Sequence, residues 1–369
     1  MLIILQALVF IRPFISSLAF PYLNSLYSAS LILFLIMWGV GSNKPYKNTQ
    51  NFGLPLIIFC LALAVSITFS VNKLNSFLEL YNYIIYLLLF ITAASLSPKD
   101  RRRIVQTIFI SGFIISMVAL YQYFFGFAHL SNYIAKNKIT DPFTLDYISR
   151  RRIFSPFVTP NALGGYLAMI FPLALINKNR LWFLMPISLA LILTGSLGAI
   201  LSLFLGSIIY MHLKGKSEVK TVLPLFGLLI VTGLIFVTRS ITLQTYTAPG
   251  FSALMRLDYW RETLRIIGNR PLAGLGIGNF NLGLSRYAHN SYLQIWAEMG
   301  ILGILAFLWL VFMSLRSAFN KLKFSEDKNY TIALISAIVI FLTHNLADFT
   351  FFLPEVAAIW WLMLGLIII

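Results

Sequence analysis

The chain has little charge, few acidic residues and a single cysteine. Charged residues make up 11% of its 369 residues, against roughly 25% in an ordinary soluble domain. A mean hydropathy of +0.84 is too high for a protein whose surface faces water, and this excludes a soluble enzyme held by one membrane anchor. Cys60 lies in an apolar run, so a disulfide framework and a thiolate metal cluster are both excluded.

Long apolar runs instead fill the chain from end to end. A run of about 20 apolar residues crosses a bilayer core of about 30 Å, and such runs exclude the alternating pattern of an outer-membrane barrel. The stretch 181–213 breaks at Gly195-Ser196-Leu197-Gly198 and is read as two short helices. The predicted fold is all-α, a polytopic integral membrane protein with about 12 transmembrane helices. The spans are expected near 2–20, 24–42, 52–71, 76–96, 104–126, 160–177, twice in 181–213, and near 221–238, 291–315, 330–349 and 355–369.

The basic residues of the short loops predict the orientation. Fifteen of them fall on one side of this span count, and the positive-inside rule makes that side cytoplasmic, together with both termini. Arg101 and Arg103 belong to this set and are expected only to fix topology. The chain then divides into spans 1–5 (1–126), a first external loop (127–159), spans 6–9 (160–238), a large external catalytic loop (239–290) and spans 10–12 (291–369).

Basic residues on the opposite, external side are mostly arginines. Nine of the twelve there are arginine, whereas only five of the fifteen cytoplasmic ones are. Either residue type sets topology, but a planar guanidinium also holds a phosphate or a carboxylate with two hydrogen bonds at once. The four external acids, Asp141, Asp146, Asp258 and Glu262, cannot pair with nine arginines. The excess favours an anionic ligand on the external face over pairing with acids or lipid headgroups.

A polar motif begins the span that follows the second long loop. It reads His289-Asn290-Ser291-Tyr292-Leu293-Gln294-Ile295-Trp296-Ala297-Glu298-Met299-Gly300. Asn290, Gln294 and Glu298 share one helix face, where polar groups usually line a cavity or bond a neighbouring helix. For Gln294 alone the bond to a neighbouring helix is favoured. His289, titratable and surrounded by external arginines, is predicted to be functional, with Asn290 and Glu298 in support.

Two arginine-rich segments stand at external span ends. The triplet Arg150-Arg151-Arg152 comes shortly before Pro160 and Asn161, which are natural helix-start residues. The segment 256–265 reads as an amphipathic helix with i,i+3 ion pairs Asp258–Arg261 and Glu262–Arg265, whereas Arg256 has no obvious partner. The glycines that follow at 274, 276 and 278 predict tight turns in which backbone approaches backbone. They do not form a dinucleotide loop, because no strand–helix unit surrounds them.

The sequence offers few groups for a metal or a cofactor. It has no Asp-x-Asp pair, no histidine–carboxylate cluster with zinc spacing and no Walker loop. His344 and Asp348, one turn apart in a late span, could hold an ion or bond each other. The sequence therefore predicts no metal site and no cofactor.

Taken in order, these motifs resemble the O-antigen ligase and polymerase family of bacterial envelope glycan assembly. The spacing of His289, eleven positions before Gly300, looks more like the ligases than the polymerases. Leu197 is a departure, because members often have Ser-Arg-Gly-Ala where this chain has Ser196-Leu197-Gly198-Ala199. The matching residues are Arg152, Phe157, Pro160–Leu163, Arg256, Trp260, Pro271–Phe280, His289–Leu293 and Glu298–Gly300.

The resemblance implies a glycosyltransferase of lipopolysaccharide biosynthesis, multi-pass in the bacterial inner membrane, with its active site on the periplasmic side. It would move a glycan from undecaprenyl pyrophosphate to an acceptor hydroxyl, which for a ligase belongs to a lipid A–core sugar. His289 would be the general base, and Arg151, Arg152, Arg256 and Arg265 would hold the pyrophosphate. The expected partners are this donor, the glycan acceptor and membrane lipids, without nucleic acid.

Two alternatives stay open at this stage. A polymerase would run the same chemistry with a growing glycan chain as the acceptor. A transporter would suit twelve spans with internal polar residues, but it would show related halves with broken helices at the membrane midplane. The sequence shows no matching halves, and its polar groups cluster on the external side.

Overall fold

The computed structural model describes residues 1–41, 52–138, 142–177, 179–215, 227, 249–283, 285–322 and 328–368. All regular secondary structure within these ranges is helical, in agreement with the predicted all-α class. The predicted span near 221–238 lies outside the described residues apart from Gly227, as do Asp141 and Arg239. The α-helices in chain order are α1 (Leu2–Ile11), α2 (Pro21–Gly41), α3 (Gly53–Thr68), α4 (Lys73–Ser95), α5 (Pro98–Tyr121), α6 (Phe127–Asn137), α7 (Pro142–Ser149), α8 (Pro160–Ala174), α9 (Arg180–Thr194), α10 (Leu197–Lys214), α11 (Pro249–Asn269), α12 (Ser291–Leu322), α13 (Lys328–His344) and α14 (Pro354–Leu366).

Five helical segments of the described chain are long and apolar enough to cross a membrane. They are Pro21–Gly41, Lys73–Ser95, Pro98–Asn137, Leu197–Lys214 and Ser291–Asn320, and five further apolar helices have 10–17 residues. The chain is therefore a helical membrane protein, whereas the predicted number of twelve spans is not confirmed. Several of the shorter helices have fewer residues than the roughly 17 that a perpendicular crossing needs.

The predicted break in the stretch 181–213 is confirmed. Helix α9 ends at Thr194, Gly195 adopts φ +60°, and the Ser196 hydroxyl caps α10 by accepting a hydrogen bond from the Ala199 N–H at 3.4 Å. Glycine is the residue best suited to this left-handed conformation at a helix end. The break therefore places the N-terminal end of α10 directly after a tight turn.

The segment 127–159, predicted as an external loop, contains the two helices α6 and α7. Helix α5 continues into α6 through a π-helical turn at Gln122–Gly126. The apolar run ends near 126 but the helical structure continues, because hydropathy reports how apolar a segment is and not where its helix ends. Hydropathy alone therefore does not predict α6 and α7.

The helices pack in two groups. In the first, α13 packs on both α8 and α10, and α9 packs on α5 and α8; in the second, α14 packs on α4, α4 on α2, and α12 on α3. Trp360 and Trp361 of α14 are fully buried and contact α13 and α4 respectively through Phe341 and Tyr86. Helices α12–α14 therefore join the two groups.

Arg101 has a structural function that its sequence position did not suggest. Arg101 is only 6% exposed. Its guanidinium donates hydrogen bonds to four backbone carbonyls at the C-terminal ends of α4 and α14. Such carbonyls have no partner inside their own helix, so a buried cation there stabilises both helix ends. The expectation that Arg101 only fixes topology is therefore wrong. The four acceptors are Ala94, Leu96, Leu366 and Ile368.

Candidate functional site

His289 lies where three segments of the chain meet, directly before α12. Its imidazole stacks on Tyr259 of α11, with ring centroids 5.5 Å apart, and meets Phe349 edge-on at 4.8 Å. The Nδ1 atom is buried and has no hydrogen-bond partner among the described residues. A buried polar atom without a partner is costly, so this nitrogen is placed where a ligand could satisfy it.

The two residues after His289 fix the position of its backbone. The Asn290 side chain caps α12, because its Oδ1 accepts hydrogen bonds from the N–H groups of Tyr292 and Leu293, both at 3.0 Å. The Ser291 hydroxyl donates to Oδ1 of Asn345 at 2.6 Å. Asn290 therefore supports His289 as an N-cap, and Ser291 attaches the motif to the turn after α13.

The charge state of His289 follows from its surroundings. Burial is the main cause that lowers its pKa, the positive charge of Arg256 lowers it further, and Asp348 opposes both; the resulting pKa is about 4. The imidazole is therefore neutral at pH 7, with one nitrogen lone pair free to accept a proton. A neutral imidazole is the form that a general base requires.

Arg256 is the arginine of α11 that the structure brings to His289. Its charge acts on both His289 and His344, and its Nε is buried without a hydrogen-bond partner among the described residues. The expected pairs of Arg261 with Asp258, at 3.1 Å, and of Arg265 with Glu262 are both present on the exposed side of the helix. No contact within the described chain joins Arg265 to His289.

Arg152 lies between the C-terminal end of α9 and the first turn of α8. Its Nε donates to the Thr194 carbonyl at 2.7 Å, beside the turn into α10, and its terminal nitrogen donates to Oδ1 of Asn161 in the first turn of α8 at 3.0 Å. Helix N-termini carry unpaired N–H groups and a partial positive charge, and they bind anions readily. Arg152 therefore adds its positive charge to the N-terminal end of α8, and the N-terminal end of α10 begins three residues after Thr194.

Arg151 faces a different part of the molecule. Its guanidinium donates to the Tyr123 carbonyl at 2.8 Å and lies over the rings of Tyr123 and Phe127, at 4.9 and 5.8 Å from their centroids. Of the four arginines predicted to hold pyrophosphate, Arg256 is the one whose charge acts on His289. Arg152 contacts the first turn of α8, and Arg151 and Arg265 make other contacts.

His344 and Asp348 connect the region of Arg152 to that of His289. The His344 ring lies against the backbone of Gly165 in α8 and of Gly198 in α10, and its Nε2 is 3.9 Å from Oδ2 of Asp348. Asp348 acts electrostatically on His289 as well. From the sequence, these two residues are expected to hold an ion or to bond each other. Their position in an otherwise apolar stretch signals a further role, because polar groups inside a membrane span are costly and usually functional.

Gln294 and Glu298 form hydrogen bonds to backbone groups of the residue before His289 and of the glycine-rich segment. Gln294 accepts a hydrogen bond from the Ala288 N–H and donates one to Glu298, both at 3.1 Å. Glu298 in turn accepts from the Gly278 N–H at 3.2 Å. Both side chains are buried, with exposures of 3% and 2%. Gln294 is hydrogen-bonded, as favoured, but its partners lie in α12 and in the residues just before it and not in a neighbouring helix. Glu298 is a positioning group for the glycine-rich segment.

The glycine-rich segment binds α12 through its backbone. The N–H groups of Leu275 and Gly276 donate to the carbonyls of Ala297 and Glu298 at 2.8 and 2.9 Å. Helix α12 is interrupted at Gly300, which has φ +67°, and a Cβ there would collide with the Leu272 carbonyl. The prediction that these glycines let backbone approach backbone is confirmed.

These features define a helical membrane protein with a basic, histidine-centred polar site. Residues 182–308 match the family model described as O-antigen ligase, which confirms the resemblance to that family. The matched segment is about a third of the chain and contains Arg256, the glycine-rich segment, His289 and Glu298. Arg152, His344 and Asp348 lie outside it. No curated protein and no solved structure matches the chain.

Proposed function

We propose that this protein is a glycosyltransferase of the ligase type. It moves a glycan from undecaprenyl pyrophosphate to a sugar hydroxyl of lipid A–core. The observation that carries the proposal is the buried, neutral imidazole of His289, whose Nδ1 has no hydrogen-bond partner among the described residues. The charge of Arg256 acts on this imidazole, and the Nε of Arg256 likewise has no partner there. One group is suited to accept a proton, and the other to hold an anion.

The reaction is a displacement at the anomeric carbon of the donor glycan. The acceptor hydroxyl oxygen attacks this carbon, and the bond from the carbon to the pyrophosphate oxygen breaks with its electron pair remaining on the leaving group. His289 takes the hydroxyl proton. Arg256, Arg152 and the N-terminal ends of α8 and α10 stabilise the negative charge that grows on the pyrophosphate.

We place this site on the periplasmic side, with both termini in the cytoplasm. His289, Arg152 and the N-terminal ends of α8 and α10 lie at one end of the helices, and Arg151 contacts Tyr123 just after the C-terminal end of α5. Arg101 to Arg103 begin α5 and thus lie at its opposite end. The positive-inside rule supports a cytoplasmic position for that cluster.

Reconstitution of the full chain tests this function. The purified protein in liposomes is supplied with lipid-linked glycan and lipid A–core, without ATP, and the conjugate is detected by its gel mobility. The His289→Ala protein, reconstituted in equal amount, is the control. A ladder of longer lipid-linked glycans in place of the conjugate would identify a polymerase, and transport of the donor without any new glycosidic bond would contradict both assignments.

A further inference from the structure

A cavity lies between α2, α4 and the residues 278–281 and 286. Its volume of about 620 Å³ falls in the range of small-molecule sites. Its lining is mainly polar and includes side chains from three separate parts of the chain, so no single helix produces it. The polar side chains of the lining include Ser25, Asn75, Glu79, Tyr81, Asn281 and Arg286.

The hydrogen-bonding groups in this cavity indicate the kind of ligand it suits. Glu79, which accepts a hydrogen bond from Asn82 at 3.1 Å, and Arg286 both line it, and Arg286 acts electrostatically on Glu79. The Glu79 carboxyl group and the amide oxygens can accept hydrogen bonds, whereas the Arg286 guanidinium and the amide nitrogens can donate them. A ligand with many hydroxyl groups can donate to the first set and accept from the second. A saccharide has this chemistry.

The cavity is close to His289 along the chain and through its packing. Arg286 precedes His289 by three residues, so their Cα atoms are at most about 11 Å apart. Tyr287 stacks on Phe349 with centroids 4.1 Å apart, and Phe349 also contacts the imidazole. Glu298 holds the Gly278 N–H at the edge of the cavity. The cavity is therefore connected to His289 through a short stretch of chain and through the Tyr287–Phe349 contact.

We propose that the cavity between α2 and α4 binds the acceptor saccharide and directs one of its hydroxyl groups to His289. This inference rests on the proposed transferase function. It separates the two substrates, because the donor pyrophosphate lies with Arg152 and Arg256, whereas the acceptor sugar lies with Glu79 and Arg286.

The first test removes one recognition group and keeps its shape. Glu79→Gln should raise the KM for lipid A–core at least tenfold, while the KM for the lipid-linked donor stays within twofold of the wild type. Glu262→Gln is the matched control, because Glu262 is an exposed glutamate paired with Arg265, and it should change neither value. An unchanged acceptor KM, or an equal rise in the donor KM, would overturn the proposal.

The second test fills the cavity from α2. Among the described residues the Ser25 hydroxyl bonds back to the Pro21 carbonyl, at 3.0 Å, so Ser25→Phe adds a ring to the lining and removes a bond within one helix turn. Ser30 on the same helix makes the same type of bond to the Leu26 carbonyl, at 2.9 Å, and lies outside the cavity lining. Ser25→Phe should raise the acceptor KM at least tenfold, and Ser30→Phe should leave it unchanged. Equal behaviour of the two variants would contradict the proposal.

A binding measurement distinguishes this inference from the proposed reaction. Core oligosaccharide freed of lipid A is titrated into purified full-length His289→Ala protein in detergent, where no turnover occurs, and binding is followed by calorimetry. We expect saturable binding that is lost on adding Ser25→Phe but kept on adding Ser30→Phe. This result, together with wild-type protein that makes no conjugate, would refute the transferase function and leave the saccharide site. Absence of binding, or binding that survives Ser25→Phe, would refute the site even if transfer is observed.

Discussion

The imidazole of His289 stacks on the ring of Tyr259, with the two planes 18° apart. Phe349 closes a second side of the same imidazole, so residues from α11 and from the turn after α13 fix the plane of the ring. Aromatic contacts of this kind hold a side chain in one orientation, and the same contacts remove it from water. One arrangement therefore orients the proposed base and keeps it neutral.

The role of His289 as a base gives the sharpest prediction. His289→Ala should lower transfer about 10²–10⁴-fold and leave expression, insertion and donor binding nearly intact, because arginines and isoprenoid contacts supply the donor affinity. His289→Arg and His289→Gln should be equally inactive, since arginine stays protonated at any working pH. Conjugate formation and binding of labelled donor are measured in parallel. An active His289→Arg protein would show that His289 acts only as an electrostatic contact.

Arg152 and Arg256 should depend on the shape of the guanidinium. Alanine at either position should lower kcat about 100-fold or more, and lysine should restore only part of it because the two-bond geometry is lost. Arg103 is the matched control: it is half-exposed and 3.7 Å from Asp100, so Arg103→Lys should behave as the wild type. Lysine variants at 152 and 256 with full activity would remove the geometric argument.

The pH profile should report the depressed pKa of His289. Protonation removes the lone pair that the base needs, so kcat/KM should fall as the pH decreases through about 4, well below the ordinary histidine value near 6.5. Asp348→Asn removes the charge that raises this pKa and should move the acidic limb to still lower pH. Asp258→Asn on the exposed side of α11 should not move it. An acidic limb near 6.5 in the wild type would contradict a buried, neutral imidazole.

Transfer should persist in the presence of chelators. Arg152, Arg256 and two helix N-termini supply positive charge where the proposed pyrophosphate lies, so we expect no dependence on divalent cations. Initial rates are compared with and without EDTA, after the protein has been equilibrated in chelator. Loss of activity that a divalent cation restores would refute an account based on arginines alone.

Arg101 provides a test of stability rather than of chemistry. Arg101→Ala leaves four carbonyls at two helix ends without their donor, and each orphaned buried group costs about 1–3 kcal/mol. The variant should therefore unfold at a clearly lower temperature in detergent, while Arg102→Ala and Arg103→Ala should not. The thermal transitions of the three purified proteins decide the matter, and equal transitions would show that the helix ends find other partners.

Much of the site could be predicted because its chemistry is local in sequence. The His289 motif, the unpaired state of Arg256 and the ion pairs of Arg261 and Arg265 follow from spacing along a helix. The cavity between α2 and α4 could not be predicted, since Ser25, Glu79 and Arg286 come together only when α2, α4 and the loop pack. Arg101 was misjudged for a related reason: loop charge counts give sidedness, whereas burial against α14 depends on the fold.

The backbone contacts between residues 271–276 and α12 make the length of this segment more important than its side chains. Ile301 donates to the Pro271 carbonyl at one end of the contact, and Leu275 and Gly276 donate to α12 carbonyls at the other. The side chain of Leu272, which points away from the contact and is 69% exposed, could therefore change freely. Removal of one residue would instead shift the register of everything up to His289, and with it the distance from the imidazole to Arg286 and Arg256.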